Sequence, residues 1–223
     1  MATKSEIVYN ILNLMQGGRI SDDFLPSYQQ MSFIVDYKRA QYLRQDQTKN
    51  YFDNDFYYQD LGCLELVKVD RAECCEIDLG CDILKTKIKL PDALRFEQRL
   101  AIKVNAVDKA TRFQIILPER AQFVSSSKYG SFAVRCYWLN GYLYFPFNEE
   151  LTRINVRQVL ADPSDAKKFT CGDGPCFTDN SEYPLPADII DLITKDIINT
   201  EGKALLITEH DTENDATAGT NKG

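Results

Sequence analysis

The chain has 223 residues, of which 44% are hydrophobic and 26% are charged. This length suits one ordinary domain with an appendage or two small domains, and the apolar content can build a core. The net charge of −7 does not indicate a nucleic-acid-binding surface, and no apolar stretch approaches the length that spans a bilayer. The first residues lack the apolar region of a secretory signal, so we expect a protein made and used in a cytoplasm.

The chain begins with two predicted amphipathic helices joined by a turn. Apolar residues recur at helical spacing in residues 5–16, and Gly17-Gly18 ends this helix because glycine readily adopts the left-handed conformation of a helix C-terminus. A second helix is predicted to begin near Ser27, where Ser27 and Gln30 have the spacing of a capping box. Such a hairpin cannot bury all its apolar surface alone, so we expect it to dock with other parts.

The turn between these helices carries Asp22 and Asp23, which either cap a short turn or pair with a basic residue such as Arg39. Aromatic side chains follow: nine lie between Tyr28 and Tyr58, more than a third of those in the chain. Aromatic residues concentrate at protein interfaces, but they also pack elements together within one chain. Both interpretations of this cluster are open from the sequence.

From about residue 63 the apolar residues alternate with a period of two, which predicts strands. Between two such runs, Asn140-Gly141 is typical of a two-residue hairpin with a type I′ turn. Seven strands with short turns predict an antiparallel sandwich or barrel. The predicted strands cover residues 64–69, 83–90, 101–107, 113–117, 132–139, 142–145 and 154–160.

After a loop with a short helical piece, Tyr183-Pro-Leu-Pro186 opens a C-terminal helix whose apolar face includes Ile189 and Ile193. The last residues are acidic and poor in apolar side chains, a composition that is usually disordered when free. The predicted fold class is therefore α+β, with an N-terminal helical hairpin, an antiparallel β-sandwich or barrel, a C-terminal helix and an acidic tail. The corresponding boundaries are 1–50, 51–182, 183–207 and 208–223.

The seven cysteines do not form a motif. Their odd number and the missing signal argue against a disulfide framework, and Cys171 and Cys176 are interpreted as part of a turn. A zinc site formed by Cys63, Cys74 or Cys75, and Cys81 is the alternative to buried, inert thiols. The spacing of this set matches no standard zinc motif.

Catalytic motifs are absent from the sequence: there is no phosphate-binding glycine loop, nucleophile elbow or metalloprotease helix. The single histidine, His210, lies in the polar tail, which makes Ser-His-Asp and Cys-His mechanisms improbable. We therefore expect no enzymatic activity, no cofactor and no metal. An enzyme of unrecognised type and a soluble β-sandwich binding module are the competing hypotheses.

Short motifs spread over most of the chain resemble neck, or head-to-tail connector, proteins of tailed bacteriophages, particularly the crAss-like phages of gut bacteria. In the hairpin these motifs are Gly18-Arg-Ile-Ser-Asp-Asp23, Phe33-Ile-Val-Asp36 and Arg39-Ala40. Farther along they are Leu61-Gly-Cys-Leu64, Cys74-Cys75, Lys89-Leu-Pro91 and Tyr183-Pro-Leu-Pro186.

The resemblance implies a structural virion protein that forms a homo-oligomeric, twelve-fold ring below the portal and links portal to tail. Its implied partners are other neck, portal and tail proteins and DNA that passes without sequence-specific contact, with no membrane. The implied location is the virion neck or tail, after assembly in the bacterial host cytoplasm. The candidate assembly interface comprises Ser21, Asp22, Asp23, Arg39, Tyr51, Phe52, Tyr183, Ile189 and Ile193.

Overall fold

The computed structural model describes residues 2–17, 27–50, 55–69, 83–96, 99–123, 134–146, 150–178 and 180–202. The chain forms two compact units. We call residues 1–56 with 179–223 the helical unit, and residues 57–178 the barrel unit. No helix in these described ranges has both the length and the apolar character that crossing a membrane requires.

The helical unit contains α1 (Lys4–Met15), α2 (Tyr28–Asn50) and α3 (Ala187–Ile197), and a π-helical turn (Ile198–Gly202) follows α3. A capping box starts α1: Thr3 accepts from the Glu6 N–H, and the Glu6 carboxylate accepts from the Thr3 N–H at 2.8 Å. Gly17, at φ 61°, follows the end of α1, which confirms the predicted stop. Ser27 accepts from the Gln30 N–H at 3.3 Å, which confirms the predicted start of α2.

Each of these three helices contacts the other two and buries one apolar stripe. The buried residues recur at the three- and four-residue spacing of a single helix face. They are Ile7, Val8 and Ile11 of α1, Met31, Val35 and Leu43 of α2, and Ile189, Ile193 and Ile197 of α3.

The barrel unit is built on a seven-stranded sheet, and all seven predicted strands are present. They are β1 (Gln59–Lys68), β2 (Ile83–Thr86), β5 (Ile102–Asn105), β6 (Gln114–Ile116), β7 (Arg135–Leu139), β8 (Tyr142–Pro146) and β9 (Arg153–Gln158); β3 (Arg95–Phe96) and β4 (Arg99–Leu100) form a separate pair. The strand order in the sheet is β5-β9-β1-β2-β8-β7-β6. Asn140 and Gly141 have φ angles of 51° and 85°, which confirms the type I′ turn between β7 and β8.

One strand pair differs from the predicted antiparallel arrangement: β6 and β7 run parallel. Parallel neighbours need a crossover of a dozen or more residues, and the stretch from 117 to 134 is long enough to supply it. The sheet is therefore mixed rather than wholly antiparallel.

The two ends of the sheet meet and nearly close it into a barrel. The Phe113 N–H donates to the Val104 carbonyl and the Ala106 N–H donates to the Thr111 carbonyl, both at 2.8 Å, where the chain turns from β5 to β6. Inside, Phe113 and Phe145 pack edge to face with ring centroids 6.0 Å apart. The interior is apolar and fully enclosed at positions such as Leu61, which is 0% exposed.

A polar cluster holds an irregularity in β1 between Asp60 and Cys63. The Asp60 carboxylate accepts from the Gly62 N–H at 2.8 Å, from the Asn155 side chain at 2.9 Å and from the Lys109 ammonium at 2.8 Å. Burial by itself raises the pKa of Asp60, but these hydrogen bonds outweigh it and lower the pKa below the ordinary value.

A small hairpin packs against this irregularity. It consists of β10 (Thr170–Cys171) and β11 (Gly174–Pro175). Gly62, at φ 74°, lies so close to Thr170 that a Cβ atom there would overlap the Thr170 carbonyl oxygen.

A disulfide joins Cys171 to Cys176 at the end of this hairpin. The expectation that the cysteines form no disulfide is therefore wrong for this pair, although the predicted turn is present. Strand pairing brings the two Cα atoms to 4.7 Å, within the range that a disulfide bridges.

Two of the described cysteines are free thiols. Cys136 is buried, and burial raises its pKa to about 12, whereas Cys63 is exposed. The other members of the alternative zinc set lie outside the described residues.

Candidate assembly surfaces

A polar network connects three parts of the helical unit. On α2, the Asp36 carboxylate accepts from the Lys4 ammonium at 2.6 Å and from the Tyr183 hydroxyl at 2.8 Å. The Tyr183 N–H donates to the Ala2 carbonyl at 3.0 Å, and the Arg39 guanidinium lies 5.9 Å from the centroid of the Tyr183 ring. This network links the start of the chain, α2 and the segment that precedes α3.

A second ion pair connects α2 to α3. The Lys38 ammonium donates to the Asp196 carboxylate at 2.7 Å, and the Lys38 side chain is only 13% exposed. This hydrogen bond raises the pKa of Lys38 above its ordinary value. This polar contact therefore fixes the relative positions of two helices whose paired residues are 158 positions apart in the sequence.

The predicted interface residues fall into two groups. Arg39, Tyr183, Ile189 and Ile193 are buried within the helical unit, where they hold the helices together. The remaining five are Ser21, Asp22, Asp23, Tyr51 and Phe52; they lie outside the described residues, as does the predicted pairing of Arg39 with the two aspartates. A role of all nine in assembly stays a prediction.

The face of α2 opposite its buried stripe exposes two aromatic side chains. Phe33 is 71% exposed and Tyr37 is 61% exposed, and they lie one turn apart. They are offset by two positions from Met31 and Val35, or about 200° around the helix. Apart from Tyr28, the other described residues of α2 that are exposed are glutamines and Arg44, with no carboxylate among them. Helical periodicity alone did not single out this face, because α2 has apolar residues on both sides.

An open groove of about 350 Å³ lies between α1 and α3. Its floor is apolar, with Ala2 and Ile7 on one side and Ala187 and Ile190 on the other. Two carboxylates, from Glu6 on α1 and Asp191 on α3, stand on its rim. The groove therefore combines an apolar base with negative charge.

The barrel unit also has an aromatic outer surface. One row of residues in direct cross-strand register runs over five strands, with Tyr144 of β8 and Tyr137 of β7 at its centre. Their rings stack 5.2 Å apart with an interplanar angle of 6°. The full row is Val67, Lys85, Tyr144, Tyr137 and Ile116, and each member is partly exposed. Tyrosine-rich surfaces of this kind are typical of protein interfaces.

These surfaces suit protein contacts, and the comparison with known families agrees. The family model described as phage tail ring protein 2 matches residues 6–221, nearly the whole chain. The chain belongs to this family. A phage tail ring protein is a structural component of the virion, so the predicted resemblance to crAss-like phage proteins is confirmed at the level of the family. No curated protein matches the chain.

Proposed function

We propose that copies of this phage tail ring protein close a homo-oligomeric ring in the phage neck, between the portal and the tail, around the DNA channel. The observation that carries the proposal is the family match over residues 6–221. We take the copy number as twelve, as the resemblance implies. Assembly takes place in the host cytoplasm, and the role is purely structural, without catalysis.

A subunit of a ring needs lateral contacts with its copies and axial contacts with neighbouring rings. Two features of this chain support that role. The helical unit presents Phe33 and Tyr37, and the barrel unit presents the row centred on Tyr137 and Tyr144. Each unit thus has an aromatic outer surface of its own. In the proposed interface, residues 21–23, Tyr51 and Phe52 supply contacts, while the buried members of the predicted set maintain the shape that presents them.

The distribution of charge supports passage of DNA without binding. The helical unit has seventeen acidic and nine basic residues, whereas the barrel unit has sixteen acidic and seventeen basic residues. Binding to DNA depends mainly on basic groups that neutralise phosphates, and neither unit has a large excess of them. We therefore expect no measurable binding of duplex DNA at physiological salt.

The direct experiment mixes the purified chain with the purified portal protein of the same phage and images the product by electron microscopy. We expect a ring with integral stoichiometry on the portal or on an adjacent neck ring. The control is Ile11→Asp, which places a charge at a fully buried position of α1 and should abolish the ring by disrupting the helical unit. Failure of the wild-type chain to join the portal or any neck ring would contradict the proposal.

A further inference from the structure

We infer that neighbouring subunits make a head-to-tail contact in which Phe33 and Tyr37 of one copy insert into the α1/α3 groove of the next copy. This inference rests on the proposed ring, and it specifies which surfaces form the lateral contact.

One of the two surfaces projects and the other is recessed. Phe33 and Tyr37 are large, strongly exposed side chains that project from α2 one turn apart. The groove offers about 350 Å³ above an apolar floor that includes Ile7 and Ile190. Exposed aromatic side chains that fill an apolar recess are the usual anchors of protein interfaces.

Their charges are complementary as well. The carboxylates of Glu6 and Asp191 line the groove, and its described lining residues include no basic side chain. The exposed described residues of α2 include Arg44 and glutamines but no carboxylate. Contact between these faces therefore brings an acidic rim to a surface without like charge, and this favours the correct pairing.

Their positions suit a closed ring. A closed ring of more than two subunits requires a heterologous contact, in which two different surfaces of the same subunit meet. The outward face of α2 and the groove are such a pair. Since α2 packs on both α1 and α3, and none of its described residues lines the groove, the groove opens away from α2. The two surfaces thus lie on opposite sides of the helical unit.

Site-specific photo-crosslinking tests the contact. Phe33 is replaced with p-benzoylphenylalanine in the full chain, and a mixture of ¹⁴N- and ¹⁵N-labelled protein is assembled with the portal and irradiated. We expect mixed-isotope crosslinks from position 33 to the two groove segments, residues 2–10 and 187–194. Rings whose crosslinks from position 33 reach other segments, or stay within one copy, would overturn the inference and leave the ring itself standing. If no ring forms, the proposed function fails and this contact fails with it.

Substitutions on the two faces give an independent test. We expect Phe33→Ser to weaken subunit association roughly thirty-fold or more, the loss typical of a central aromatic anchor. Asn10, an exposed residue at the groove, permits the complementary change Asn10→Trp, which fills the groove and should weaken association similarly. The matched control is Tyr9→Ser, because Tyr9 is 58% exposed on α1 but does not line the groove. Equal effects of Phe33→Ser and Tyr9→Ser, with circular dichroism unchanged, would contradict the proposed contact.

Discussion

The hydroxyl group of Tyr183 provides a direct test of the network that holds the helical unit together. It donates to the Asp36 carboxylate at 2.8 Å, and Tyr183 is 1% exposed. A hydrogen bond to a charged group contributes about 1.5–3 kcal/mol. Because the Asp36 side chain retains 14% exposure and its bond to Lys4, we take the lower part of that range. Tyr183→Phe should therefore lower the free energy of unfolding by about 1.5–2 kcal/mol.

The matched control is Tyr28→Phe, which makes the same chemical change in the same unit. The Tyr28 hydroxyl donates to the Ser5 hydroxyl at 3.1 Å, but both groups are neutral and this bond is exposed to solvent. Its removal should therefore lower the free energy of unfolding by no more than about 0.5 kcal/mol.

Urea titration separates the two units. Circular dichroism at 222 nm follows the helices, while the fluorescence of Trp138, the single tryptophan, follows the barrel unit. With an m-value of roughly 1 kcal/mol per molar urea for a unit of this size, Tyr183→Phe should lower the helical midpoint by roughly 1.5–2 M. The fluorescence transition should stay in place. A shift no larger than that of Tyr28→Phe would refute the reasoning, since it would mean that the buried bond to Asp36 contributes no more than an exposed one.

The barrel unit yields three further predictions. Gly62→Ala should lower the free energy of unfolding by about 2–3 kcal/mol in urea titration, because the added Cβ overlaps a carbonyl oxygen. The control is Gly172→Ala, which is also at positive φ but in open space and should lower the free energy of unfolding by less. Asp60→Asn should destabilise at pH 7. Since the pKa of Asp60 is lowered on folding, its contribution is present above the unfolded pKa of about 3.9 and disappears as pH falls through the lower folded value, so the variant and wild-type curves should converge in acid. Replacing Cys171 and Cys176 with serine should lower the free energy of unfolding by about 2 kcal/mol, because the disulfide closes a short loop. The denatured, unreduced wild-type protein should also show two fewer titratable thiols than the reduced protein.

Local signals in the sequence were sufficient for most of the secondary structure. Gly17 ends α1, Ser27 starts α2 and Asn140-Gly141 turns β7 into β8, each as predicted. These features depend on the backbone preferences of a few adjacent residues, which the sequence shows directly. The seven strands were similarly visible, because buried and partly exposed side chains alternate along several of them, as in β2 and β5.

Contacts between distant residues were not visible in the same way. The bond from Tyr183 to Asp36 joins residues 147 positions apart, and periodicity says nothing about which helix faces which. The parallel pairing of β6 with β7 depends on a crossover rather than on either strand's pattern. The bond between Cys171 and Cys176 depends on the hairpin geometry that brings the two residues together, and neither the cysteine count nor the missing secretory signal reveals that geometry.

The sequence is also limited in what it shows about the apolar residues of α2. Buried and exposed apolar positions on α2 look alike in the sequence, since Met31 and Val35 alternate with Phe33 and Tyr37 every two residues. Only the packing of α1 and α3 against one side of α2 decides which set is internal. If α2 packed only within its own subunit, we would expect polar residues on the side that faces away from α1 and α3. We therefore expect the aromatic residues that remain exposed on α2 to contact the next subunit of the proposed ring.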